Sequence, residues 1–246
     1  TALVAEVIVP MGATGHAFLE ETDLLDFPGV RNREPRDLAG YLAKGTDPLS
    51  ELVLRGKVAY LFDRYKAEQE MTAMLLCIGK GNMEAVQLPR LMERWVEDTH
   101  GATPEARAGS DCVLFFVQTM FDLLLSDSGA ADADASTRFE RRFWFSMREP
   151  FGKTPDSWLN AWADGRPFDN TFLIRNPKYP TEVIEAEAAR DARRETRLRP
   201  GAEARLGELK AGFLAADLVR AHVRDPEAAW EAMLRLNDGG ASRLAE

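Results

Sequence analysis

The chain has 246 residues, 45% of them hydrophobic and 29% charged, with 40 acids against 31 bases and a net charge of −9. That balance fits a core-forming globular protein and disfavours disorder, and it disfavours a nucleic-acid binder, which needs a clustered excess of Lys and Arg to displace counterions. The apolar runs fall far short of the roughly 20 residues that span a bilayer, so no transmembrane segment is expected.

In chain order, Leu3 to Val9 is almost unbroken apolar sequence that stops at Pro10, Gly12 and Gly15, and a second short run lies within Thr22 to Leu25. Both read as strands. From Leu49 to Glu70 the apolar residues Leu52, Leu54, Val58, Leu61, Phe62 and Tyr65 recur at helical spacing. Thr72 to Ile78 has strand length and ends at Gly79; Leu88 to Asp98 reads as a helix closed by His100-Gly101; Cys112 to Val117 is a further buried strand. A soft, acidic, Ala-rich loop over Ser126 to Ser136 leads into a helix around Arg138 to Arg148, with Phe139, Phe143 and Trp144 on one face. Thr171 to Ile174 is the last strand candidate. Beyond Pro180 the charged stretch Glu182 to Arg197 reads as helix, and so does Leu206 to Leu236 after the Pro200-Gly201 break. Cys77 and Cys112 each sit in an apolar run, which suits buried thiols of a reducing compartment, so a cytoplasmic location is expected.

Continuous apolar strands alternating with amphipathic helices predict a parallel sheet covered on both faces, an α/β domain over residues 1–180 followed by a helical extension over 181–246.

Two segments carry chemistry. The first is Thr22-Asp23-Leu24-Leu25-Asp26-Phe27-Pro28-Gly29, an apolar strand ending in an aspartate with a glycine three residues on. In a nucleotide hydrolase the Asp26 carboxylate would hold a Mg²⁺-bound water, and the Gly29 N–H, with no Cβ in the way, would approach the γ-phosphate. An ordinary strand-to-loop turn uses the same residue types for their backbone preferences. The second segment is Val113 to Asp122, a buried strand ending in Thr119-Met120-Phe121-Asp122. GTPases read guanine with Asn/Thr-Lys-x-Asp at such a position, because the aspartate accepts hydrogen bonds from ring and exocyclic N–H groups. Met120 replaces the Lys. Its apolar stem can cover a ring face but brings no charge, and a plain strand cap accounts for the same residues.

The order of elements is that of a Ras-like GTPase core after its phosphate loop. The sequence resembles the SrfC-like bacterial virulence factors, large proteins whose amino-terminal part looks like a P-loop GTPase. The resemblance rests on Leu24-Leu25-Asp26-Phe27-Pro28-Gly29-Val30-Arg31, Leu75-Leu76-Cys77-Ile78, Trp95 with Thr99-His100-Gly101-Ala102-Thr103-Pro104, Leu114 to Asp122, and Leu236-Asn237-Asp238-Gly239-Gly240. It implies a three-layer, mostly parallel P-loop NTPase-like sheet, here lacking its first strand and phosphate loop. GTP and Mg²⁺ are the implied cofactors and a nucleotide-dependent switch the implied function.

No GxxxxGK[ST] is present. Gly79-Lys80-Gly81 lacks the upstream glycine, and Gly152-Lys153-Thr154 follows a helix and precedes Pro155. The phosphate loop is therefore expected upstream in a longer parent; GTP hydrolysis is expected of that parent and not of this chain alone. Asp26, Gly29, Thr119 and Asp122 are the candidate nucleotide-binding residues, with Asp26 toward the metal. Arg31, Arg33, Thr14 and Thr22 read more simply as solvated or capping residues. A protein partner is expected at the loop between Gly29 and Pro48 or at the helical extension. Two alternatives stay open: a non-catalytic scaffold that keeps the fold, and an ATP-using relative.

Overall fold

The computed structural model describes residues 7–10, 20, 22–26, 39, 42–43, 47–67, 71–79, 88–126, 134–189 and 192–245. The chain divides into two compact units, one of residues 1–72 with 84–90, the other of residues 73–83 with 91–246.

In the first unit the helix expected over Leu49 to Glu70 is present as α1 (Pro48–Ala67). Asp47 opens it, its Oδ1 accepting the Ser50 N–H at 3.2 Å. Residues 22–26 are exposed and form no strand, and neither do Val7, Ile8 and Val9, which are 74–83% exposed; Leu3 to Glu6 lie outside the described residues. Both stretches were expected as strands. Apolar composition supplies a strand's side chains but not its partner, and no described residue pairs with either stretch.

The second unit is mixed α/β. It runs β1 (Met74–Ile78), α2 (Leu88–His100, from its fourth residue onward), α3 (Pro104–Ala108), β2 (Leu114–Gln118), α4 (Asp122–Ser126), α5 (Ala135–Phe143) and β3 (Thr171–Leu173). The three strands form one sheet in the order β1-β2-β3, parallel throughout, with Leu76 beside Phe116 and Phe116 beside Thr171. Parallel order follows from the helical crossovers that separate the strands in sequence. Leu76, Ile78, Leu114, Phe116, Gln118, Thr171 and Leu173 occupy one face, and all are buried.

Helix α5 starts at Asp134, whose Oδ1 takes the Thr137 N–H at 2.8 Å. Phe139 and Phe143, one turn apart, are both buried, but Trp144 is 48% exposed and not on their face. The reason is a π-helical turn over Trp144–Arg148, closed by the Glu149 N–H on the Trp144 carbonyl. Its wider turn rotates Trp144 outward and brings Ser146 and Met147 inside. Phe121, Phe139, Phe213 and Trp230 form one aromatic cluster, with ring centroids 5.3–6.2 Å apart. Trp158, Trp162, Phe168 and Phe151 form another.

Beyond Pro180 the helix expected over Glu182 to Arg197 is instead an antiparallel hairpin, β4 (Ile184–Ala189) with β5 (Ala192–Leu198), irregular at Glu185/Ala186. Its Ala, Glu and Arg content favours helix locally. Tertiary contacts override that preference, because the Glu195 backbone must offer both its N–H and its C=O sideways to the Asn237 side chain. The rest of the extension is helical as expected: α6 (Ala202–Ala215), α7 (Asp217–His222), α8 (Pro226–Leu234) and a 3₁₀ turn at Ala241–Ala245. No helix among the described residues is long and apolar enough to cross a membrane.

Two buried histidines give the second unit an acid limit. His100 lies edge-on to Trp95 and Trp162, its Nε2 accepting the Val113 N–H at 3.1 Å, so that nitrogen is unprotonated. Nδ1 of His222 lies 2.8 Å from the Phe168 carbonyl. Desolvation pushes both imidazoles below the ordinary value of 6.5; Arg107 adds repulsion at His100 and Arg148 at His222, where the Phe168 carbonyl and Asp169 oppose it. The unfolded chain therefore takes up protons that the folded one refuses, and stability falls as pH drops below 6.5. The urea midpoint is expected to decline across that value, and His222→Gln is expected to flatten the decline.

Candidate functional site

In open parallel sheets the strands end at one edge, and ligands bind outside those carboxyl ends. Here that edge is formed by Gly79 after β1, by Thr119 to Asp122 after β2 and by Ile174 to Asn176 after β3. Arg142, reaching over from α5, ties two of the three ends together. Its Nη1 donates to the Gly79 carbonyl at 2.7 Å, and its Nη2 donates to Thr119 at 2.8 Å and to Ile78 at 3.1 Å. No carboxylate pairs with it among the described residues, and desolvation lowers its pKa to about 10. The guanidinium thus stays charged at neutral pH, held among the described residues by three carbonyl dipoles.

After Thr119 the chain turns through Met120, which adopts φ 57 and is 48% exposed. A Cβ on Gly79 would lie 3.4 Å from the Met120 sulfur, so the two residues border the same corner. The turn sends the Phe121 N–H to the Ile174 carbonyl at 3.1 Å and starts α4 at Asp122. The Asp122 side chain faces back toward the end of β3. It is 2% exposed, and its Oδ1 accepts the Asn176 N–H at 2.8 Å. Oδ2 has no hydrogen-bond partner among the described residues. The Asn176 loop is itself a tight turn, with Lys178 N–H on Asn176 Oδ1 at 3.0 Å and Tyr179 N–H on the Asn176 carbonyl at 2.8 Å.

The structure therefore brings Thr119 and Asp122 to the sheet edge. Asp26 is exposed in the first unit, and Gly29 lies outside the described residues. Among the described residues no group of three or more His, Cys, Asp or Glu side chains is placed to hold a metal ion. Gly152-Lys153-Thr154 is not a phosphate cradle. It follows a helical turn, the Gly152 N–H is spent on the Arg148 carbonyl at 2.9 Å, and the Gly152 and Thr154 carbonyls are taken by Asn160 Nδ2.

Arg142, Asn176 and the groups behind Asn176 were not legible as site residues. Arg142 sits beside Arg141 in a charged helix and reads as solvated; nothing in its neighbours in sequence says that it reaches two strand ends. Asn176 contributes its backbone N–H, which carries no residue-type signal.

Over residues 1–246 the sequence matches a family model described as "Putative bacterial virulence factor". No curated protein and no solved structure matches it. The β1–β2–β3 edge is the candidate site, and the chain belongs to the family described as "Putative bacterial virulence factor".

Proposed function

We propose that the carboxyl edge of the β1–β2–β3 sheet is the base end of a guanine-nucleotide site and that the protein works as a GTPase-like, nucleotide-dependent switch. The observation that supports this reading is the state of Asp122: a carboxylate at the end of the central strand, one oxygen fixed by the Asn176 N–H and the other without a hydrogen-bond partner among the described residues. Fixing Oδ1 aims Oδ2, and a carboxylate aimed at a planar base accepts N–H groups that adenine does not offer in that geometry. The exposed Met120 stem borders the same corner and would cover a ring face.

The test is calorimetry on the full-length protein with GTP·Mg²⁺, ATP·Mg²⁺ and xanthosine triphosphate. Asp122→Asn is expected to move the GTP:XTP affinity ratio at least about tenfold toward xanthine, because an amide donates to the carbonyl that replaces the guanine amine. An unchanged ratio in a folded variant would remove Asp122 as the base reader. A second reading, a non-catalytic interaction protein retaining the fold, is favoured by the 2% exposure of Asp122 and by Met120 where a lysine is expected. It predicts no binding of any of the three nucleotides. Selective binding of ATP would instead indicate an ATP-using relative.

A further inference from the structure

Behind the Asp122–Asn176 contact lies a closed polar knot in an apolar surround. Arg175, the residue before Asn176, turns inward and is 1% exposed. Its Nε donates to the Met233 carbonyl at 2.8 Å, and its Nη2 donates to the Arg235 carbonyl at 2.9 Å. The same guanidinium grips Glu195 on β5 with two bonds, Nη2 to Oε2 at 2.8 Å and Nη1 to Oε1; both side chains are fully buried.

Asn237 completes the knot from the other side. Its backbone N–H donates to Glu195 Oε2 at 2.7 Å, while its side chain takes the Glu195 N–H at 2.8 Å and gives to the Glu195 carbonyl at 2.9 Å. Asn237 does this from a left-handed backbone, φ 62, a conformation that costs Asn little and Gly less. Two residues on, the Gly239 carbonyl accepts the Arg175 N–H at 3.0 Å. A Cβ at Gly239 would stand 2.5 Å from the Arg175 carbonyl, and one at Gly240 would strike the Leu173 carbonyl. The backbone of 173–176 is thus seated directly on the turn 237–240, with no side chain between them.

From this geometry we infer that Glu195 and the Asn237–Gly240 turn are positioning elements of the Asp122 site: they set the Arg175–Asn176 peptide, whose N–H in turn aims the Asp122 carboxylate. The inference gives Leu236-Asn237-Asp238-Gly239-Gly240 a role distant in sequence from the residues it serves. Its connection to nucleotide rests on the proposed function; the mechanical link does not.

The test uses Asn237→Gly in the full-length protein, since Gly keeps the left-handed backbone and removes only the side-chain bonds to Glu195. Amide hydrogen exchange at Asn176 is expected to accelerate about tenfold, the scale of one or two hydrogen bonds, while the amides of Val96 and Phe116 stay protected. GTP affinity is expected to fall by a similar factor, and the same change on an Asp122→Ala background is expected to add nothing. Unaltered exchange at Asn176 in folded Asn237→Gly overturns the inference, and so does full additivity of the two substitutions on affinity. If the unsubstituted protein binds no GTP, the nucleotide reading fails, and the exchange measurement still decides whether Asn237 positions Asn176.

Discussion

Glu195→Ala is expected to destabilise the second unit by about 3–5 kcal/mol, enough to unfold many domains outright. The loss is not the worth of the Arg175–Glu195 pair. It is mainly the cost of leaving the Arg175 guanidinium buried with two backbone carbonyls and no counter-charge. The two quantities separate experimentally. Arg175→Met combined with Glu195→Leu removes both charges, and the double variant is expected to recover a large part of the stability lost by Glu195→Ala, because an apolar replacement of a buried pair is often neutral. Urea unfolding of Arg175→Met, Glu195→Leu and the double variant closes the cycle, with Glu195→Ala measured beside them. If the double variant is no more stable than Glu195→Ala, unsatisfied charge is not what Glu195 prevents. Raising salt is expected to change little, since the pair is shielded from solvent, in contrast to the exposed Arg197–Glu185 pair on the same hairpin.

The sequence carried the parts of this fold that rest on local pattern. β1 lies in an apolar run that ends at Gly79 and β2 is apolar up to Gln118, the pattern of a parallel strand, although Leu75 and Cys77 are exposed and β1 is buried on one face where cover on both was expected. α2 and α5 show the helical period, and the sequence places α2 within two residues of its end. Where the reading failed, distant contacts decided. Ile184 to Leu198 has the composition of a solvated helix, and what makes it a hairpin is Arg175 and Asn237, distant in sequence from Glu195. The outward turn of Trp144 depends on a π-helical register change that periodicity at 3.6 residues cannot contain.

The site divides in the same way. Thr119 and Asp122 were legible because an aspartate just past a buried strand has a recognisable chemistry. Their supports were not legible, since the Asn176 N–H, the Gly239 carbonyl and the carbonyls gripped by Arg142 are backbone groups that every residue has. A sequence shows which side chains can do chemistry, and the backbone donors that aim them become visible only in the fold.

Arg142 gives the second large effect. Arg142→Met keeps an unbranched apolar stem and removes every donor, and three carbonyls lose the guanidinium. They do not lose equally. Ile78 keeps the Thr119 N–H at 2.9 Å, so the Gly79 and Thr119 carbonyls carry the penalty. At about 1–3 kcal/mol for each unsatisfied buried group, and with water able to reach part of this half-buried edge, a loss of about 2–3 kcal/mol is expected. Arg142→Lys keeps the charge but not the planar fork, so it is expected to recover part of that loss and no more. Neither effect should vary with pH near neutrality: the Arg142 pKa, lowered to about 10, leaves the group protonated in both folded and unfolded chains below that value. The acid decline of His100 and His222 should therefore keep its slope in Arg142→Met while the whole curve drops. Because Gly79 and Thr119 are the ends that Arg142 joins, amide exchange should quicken at residues 78–79 and 119–120 ahead of the rest of the sheet. If the Met variant matched the unsubstituted protein in urea midpoint and in exchange at these positions, the strand ends would be held without Arg142, and the edge would owe its shape to Asp122 and Asn176 alone.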